Sequence, residues 1–237
     1  MVVRGIDVSS WQEGWNSAIG KALYPANYGT VEASGEGFVW IKATEGGGYV
    51  SPTFALQSRG VLGTSMLAGA YHFAREGLSA PNASADTFLQ TIKPYPFTLP
   101  PLLDLEANKG VEGITGDALV AWAVTWLEHV EAATGKRPWI YGGAYYLDGL
   151  GPSVAALVKY PWVVAAYPWD KTHPAPGEKL AFPPPLRLNR APPSKYMPPA
   201  VAWQWTGMGG VVGIHTPCDR IVMDGTIFEA LRGAKTP

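Results

Sequence analysis

The chain has one cysteine, Cys218, in 237 residues. A single thiol excludes an intramolecular disulfide and any metal site built from several thiolates, and it reads as a buried structural residue. Charge is also scarce: charged residues make up 16% and the net charge is −1. There is no basic footprint for a polyanion, so nucleic acid is not expected as a partner. No apolar run reaches the roughly 18–20 residues of a membrane-spanning helix, so no membrane insertion is expected. The opening MVVRGIDVSSW shows no charged leader followed by an apolar core. The four histidines are scattered, which disfavours zinc. A G-x-S-x-G elbow and a G-x-G-x-x-G after the first apolar run are both missing, which disfavours a serine hydrolase and a dinucleotide fold.

Aromatic residues are plentiful, with 10 Trp and 11 Tyr. Most belong to a core, but sugar rings present C–H faces that stack on such rings, so a carbohydrate groove is favoured. Eight apolar or β-rich runs follow one another near Val2–Val8, Phe38–Ala43, Leu67–Phe73, Leu99–Leu105, Trp139–Tyr141, Trp162–Ala166, Ala200–Gln204 and Cys218–Met223. Helical spacing lies between several of them: Pro52–Arg59, Ser79–Ile92 with Ser79 as a cap, and Thr115–Thr134. The last has Leu119, Trp122, Ala123, Trp126, Leu127 and Val130 on one stripe, and Gly135 ends it. Strands alternating with helices predict an α/β fold with a mostly parallel sheet, here an irregular (β/α)8-like TIM barrel in one domain spanning 1–237. An open doubly wound sheet is the alternative. The stretch from Tyr167 to Pro199 carries Pro183–Pro185, Pro192–Pro193 and Pro198–Pro199. It cannot be a regular helix and reads as a loop insertion over about 168–199, forming a wall of a cleft.

PPLLDLEAN at 100–108 places two carboxylates two positions apart at the end of a buried run. Side chains at i and i+2 share a strand face, so Asp104 and Glu106 point the same way. Backbones roughly 6.5–7 Å apart let the carboxyl groups approach the ~5 Å of retaining glycoside hydrolysis. Two neighbouring acids in a dry wall resist joint ionisation, so one stays protonated near neutral pH and can serve as a general acid. A solvated strand end or a structural ion pair is the competing reading. In barrels, functional side chains sit at the C-terminal strand ends. Those ends here carry Asp7, Ser9, Ser10 and Trp11; Lys42 and Glu45; Tyr71 and His72; Asp104 and Glu106; Tyr141; Tyr167; Gln204 and Trp205; the eighth run begins near Asp219. Together they predict an acidic cleft with aromatic walls. Its acids could instead bind Mg²⁺ or Ca²⁺.

Seven motifs then occur in order: GIDVSSWQ at 5–12, FVWIKATEG at 38–46, AGAYHFA at 68–74, PLLDLEAN at 101–108, WIYGG at 139–143, WVVAAYP at 162–168 and AWQWTG at 202–207. As a set they closely resemble the glycoside hydrolase family 25 lysozymes of bacteria, fungi and bacteriophages, over about residues 4–231. The resemblance implies an irregular barrel that cleaves the β-1,4 bond between N-acetylmuramic acid and N-acetylglucosamine in peptidoglycan, with retention, and with no cofactor or metal. It implies Glu106 as general acid/base and Asp104 as nucleophile or stabiliser of an oxazolinium formed by the substrate's acetamido group, the latter preferred. Asp7 and Asp219 would complete the acidic set. Tyr71, Tyr141, Tyr167 and Gln204, with Glu45 and Trp205, are the candidate substrate contacts.

Two departures stand out. The family's Asp-x-Asn and Asn-Gly-Thr appear as CDRIVMDGT, so Ile221 replaces an Asn and Asp224 stands in the turn as reserve for the C-terminal acid. Ser51-Pro52 stands where an acidic residue often follows TEG. The expected setting is a monomeric bacteriophage endolysin, made in the host cytoplasm and acting on the cell wall after release, or a secreted form lacking its leader. The rival readings are a glycan-binding barrel without activity and a related glycosidase such as a chitinase.

Overall fold

The structure, a computed structural model, describes residues 2–106, 114–167 and 196–234. Eight strands close on themselves: β1 (Val2–Val8), β2 (Phe38–Glu45), β3 (Leu67–Phe73), β4 (Leu102–Asp104), β5 (Trp139–Gly143), β6 (Trp162–Ala165), β7 (Ala202–Gly209) and β8 (Cys218–Asp224). Each pairs with the next, and β8 returns to β1. The pairs from β1 to β7 are parallel. The eighth strand runs antiparallel to both neighbours. The barrel read from the alternating runs is therefore present, with its last strand reversed. That reversal brings the start of β8, not its end, to the rim where the other strands finish. The proline-rich 168–195 lies outside the described residues, so the expected cleft wall there has no counterpart among them.

Period-two alternation sorts each strand's side chains between two cores. Phe38, Trp40, Leu67, Leu102, Trp139, Val163, Ala202, Ile221 and Met223 form one buried cluster inside the barrel. Val39, Ile41, Ala68, Leu103, Leu105, Ile140 and Val164 join the other, against the helices. The interior is full. A Cβ added at Gly69 would sit 2.7 Å from Leu99 and 2.8 Å from the Trp40 ring, so glycine leaves the room that Trp40 fills.

Helices α1 (Tyr28–Ala33), α2 (Phe54–Leu62), α3 (Pro81–Ile92), α4 (Gly116–Thr134), α5 (Ala144–Gly149) and α6 (Gly225–Gly233) surround the strands, with a 3₁₀ segment at Gly151–Leu157. α4 buries the expected stripe plus Val120 and ends at Gly135, whose φ of 66° is the left-handed conformation glycine adopts at little cost. α3 departs from expectation. Ala80 holds its N-cap position and Pro81 its first turn, while the Ser79 hydroxyl bonds to Arg75 O and Ser84 Oγ. Proline suits that first turn because its fixed φ is helical and no N–H is needed there.

Candidate active site

At the rim where β1 to β7 end, the barrel opens into a cleft of about 180 Å³. β2, β4, β5, β7 and β8 each deliver to it a side chain two positions from an interior core residue. β4 supplies Asp104 two residues after Leu102, and Glu106 continues the alternation beyond the strand, because Leu105 N still bonds Tyr141 O at 2.9 Å. β1 supplies Asp7 and β8 supplies Asp219, which face each other as cross-strand partners. Tyr71, Tyr141, Tyr167 and Gln204 line the remaining walls with Ser9, Lys42 and Phe73; Leu102 and Ile221 form the apolar floor. Ile221 is the residue that departs from the family's Asn.

Hydrogen bonds set the orientation of one wall. Tyr141 OH and Tyr167 OH each donate to Gln204 Oε1 at 2.8 Å, and Gln204 Nε2 donates to Asp7 Oδ2 at 3.0 Å. Glycine at 207 allows this crowding, since a Cβ there would lie 3.0 Å from Asp219 Oδ1 and 3.4 Å from Tyr167 OH. On the other side, Asp104 Oδ1 is buried with no hydrogen-bond partner among the described residues. A buried acceptor left open is costly unless a ligand group fills it.

All four acids hold their protons more tightly than exposed carboxyls do. Burial, and then the Glu106 charge, raise Asp7 to about 7, although the Gln204 hydrogen bond pulls the other way. Burial, with repulsion from Asp7 and Glu106, raises Asp219 to about 9. Asp104 is pushed well above the carboxylate range by complete burial, then by Glu106 and Asp7. Glu106 is raised by burial, while its contact with the Tyr141 hydroxyl and the Lys42 charge restrain it. Like charges packed into a dry cleft do not all ionise together, so the site carries exchangeable protons at neutral pH.

The profile of the glycosyl hydrolases family 25 matches residues 6–214. An N,O-diacetylmuramidase of Chalaropsis sp is 32% identical over 173 residues, covering 69% of this chain and 77% of that relative. The chain belongs to glycosyl hydrolase family 25. Among solved structures, a bacterial lysozyme from Streptomyces coelicolor matches with a TM-score of 0.76 at 25% identity, covering 99% of this chain and 98% of its own. The catalytic domain of endolysin ply40 from bacteriophage P40 of Listeria monocytogenes matches with a TM-score of 0.71 at 22% identity, over 98% of each chain, a likeness of fold.

Within this family 25 barrel, Asp7, Asp104, Glu106, Asp219, Tyr71, Tyr141, Tyr167 and Gln204 converge on the one cleft. Three other candidates do not line it. Trp205 is 2% exposed and packs into the outer core, because adjacent strand residues face opposite ways and Gln204 takes the inner position. Asp224 lies at the far end of antiparallel β8, where its carboxyl caps α6 by accepting from Thr226 N and Ile227 N. Both Glu45 oxygens are engaged: Oε2 by Lys42 at 2.6 Å, and Oε1 by Arg75 Nε and Nη2 at 2.8 and 2.6 Å. His72 faces outward, stacked on Trp126 with ring centroids 5.4 Å apart, and burial lowers it to about 3, so it is neutral. Sequence reasoning put Lys42 at a strand end without a role and overlooked Phe73. The structure makes Lys42 the one cation among the described residues lining the cleft. Among the described residues, no group of three or more His, Cys, Asp or Glu is arranged to hold a metal ion.

Proposed function

We propose that this family 25 glycoside hydrolase is a peptidoglycan muramidase that retains configuration, with Glu106 as general acid/base and Asp104 as partner of the substrate's acetamido group. The observation that carries the division of roles is the open, buried Asp104 Oδ1 beside a Glu106 that is less deeply buried. In the first step, Glu106 gives its proton to the bridging oxygen as the C1–O bond breaks. The acetamido oxygen of the muramic acid attacks C1, and Asp104 accepts from the acetamido N–H, which stabilises the oxazolinium cation. Water then adds at C1, Glu106 takes its proton, and the ring opens with the original configuration. Asp7 and Asp219 hold the local charge, and the tyrosines and Gln204 line the subsite before the cleaved bond, where the muramic acid sits. The setting is a bacteriophage lysis system in which a monomer acts on the host wall, in keeping with the fold shared with the P40 endolysin domain.

Two measurements test this reading. Mass spectrometry of digested cell walls should find muramic acid at the new reducing ends; glucosamine there would mean a different glycosidase, and no new ends a binding protein. Glu106→Gln should keep its circular dichroism spectrum and lose on the order of 10²–10⁴ in rate, the worth of a placed general acid. Near-parental turnover would remove Glu106 from the mechanism.

A further inference from the structure

Among the described residues, the cleft sets four carboxyls against a single ammonium, that of Lys42, and that ammonium is not loose. Glu45 holds it at 2.6 Å, and Arg75 grips the other Glu45 oxygen at 2.6 and 2.8 Å. The Phe73 ring packs against both cations, with its centroid 4.6 Å from Lys42 Nζ and 5.0 Å from the Arg75 guanidinium carbon. The arrangement depends on a bulge. β2 pairs Lys42 with Tyr71 but Thr44 with His72, so Ala43 is an extra residue in the ladder. Strict alternation would put residues 42 and 45 on opposite faces. One inserted residue returns Glu45 to the Lys42 face, opposite Phe73.

We propose that Glu45 and Arg75 are positioning residues, which fix the Lys42 ammonium beside the carboxyl cluster so that its charge sets the pH range of activity. The proposal rests on the reading of Asp104 and Glu106 above. Burial holds both Asp104 and Glu106 above the carboxylate range, and a fixed cation beside them lowers both, so it sets the pH at which the pair gives up its protons rather than which carboxyl keeps one. Sharing the cleft with this ammonium are Asp7 on β1, Tyr71 on β3, Asp104 on β4 with Glu106 beyond it, Tyr141 on β5, Tyr167 after β6 and Asp219 on β8. Against it lie Glu45 on its own strand and Tyr49, whose ring centre is 5.9 Å from Nζ; Arg75 holds the other Glu45 oxygen, and the outward His72 feels the Lys42 charge. Lys42 favours the ionised forms of Asp104 and Glu106, against the pull of burial and of their neighbours. Glu45 is half-buried, which by itself would raise it, yet the hydrogen bonds from Lys42 and Arg75 hold it below the ordinary range. Glu45 therefore stays ionised at neutral pH.

The test is a sign test on pH–rate profiles. Lys42→Met keeps the aliphatic stem over Phe73 and removes the charge, so both limbs should move to higher pH by on the order of one unit, the effect of an opposite charge at close range. Glu45→Gln leaves the ammonium without its counter-charge and should move both limbs to lower pH. Lys42→Arg should restore most of the parental range. Glu45→Gln should add little on top of Lys42→Met, since it acts through that ammonium. A change in kcat with an unmoved profile, a shift of both single variants in one direction, or additive shifts in the double variant would each overturn the proposal. Carboxyl ¹³C NMR titration of the same proteins without substrate reads the identical shifts. It tests the clamp even if the Glu106→Gln result removes the muramidase reading.

Discussion

Asp219 and Asp224 share a strand, a side-chain type and a flanking glycine or arginine, yet one lines the cleft and the other caps α6. Asp219 has an ordinary value near 3.8 and is raised to about 9 by burial and by its acidic neighbours. A carboxyl raised in this way binds its proton more tightly folded than unfolded. Its contribution to stability is fully present below pH about 3.8 and is lost as the pH rises through about 9. Asp219→Asn removes that liability, so the variant should be more stable than its parent at pH 8, by about 1–2 kcal/mol, with the gap closing by pH 4. Thermal melts at the two pH values check this, and a variant less stable at pH 8 would contradict it. Asp224→Ala should instead cost about 1 kcal/mol at every pH through loss of the helix cap, with wall-lytic activity unchanged. Assays of the two variants side by side distinguish the roles.

Among the elements, α4 was the most legible. Its apolar stripe and terminal glycine are local signals, and the structure uses both as read. Gly135→Ala should lower stability by about 1 kcal/mol, because a Cβ is strained at φ 66°. In a chain of this size that is roughly 2–4 °C in melting temperature. A melt that does not move would mean the turn relaxes. β4 was located but drawn too long, since only Leu102–Asp104 pair as a strand. The bulge in β2 left no mark in the sequence: KATEG reads as plain alternation, and only the fixed register of β3 shows that Ala43 is the extra residue. Trp205 was misplaced for a related reason. A strand end names a rim, but it does not say which of two adjacent residues faces in.

For the molecule as a whole, barrel closure concentrates four acids where an open chain would keep them apart. Stability and activity should then share a pH trend. Asp7 and Asp219, at about 7 and about 9, lose their proton-linked stabilisation as the medium becomes alkaline. Glu106 is raised as well, and in the proposed mechanism it acts in its protonated form. Activity should fall on the alkaline side as Glu106 ionises, and the melting temperature should fall over the same direction of pH. A stability maximum at pH 9 would contradict this account of the cluster.

The strand–helix alternation, the α4 stripe and the acids beside LLDLE are local patterns, and the linear order of residues was enough to determine them. The choice between Asp219 and Asp224, the burial of Trp205 and the Glu45–Lys42–Arg75 clamp were decided only in three dimensions. They depend on the direction of the last strand and on one inserted residue in a ladder. Both are properties of how distant segments pair, and no single segment carries them.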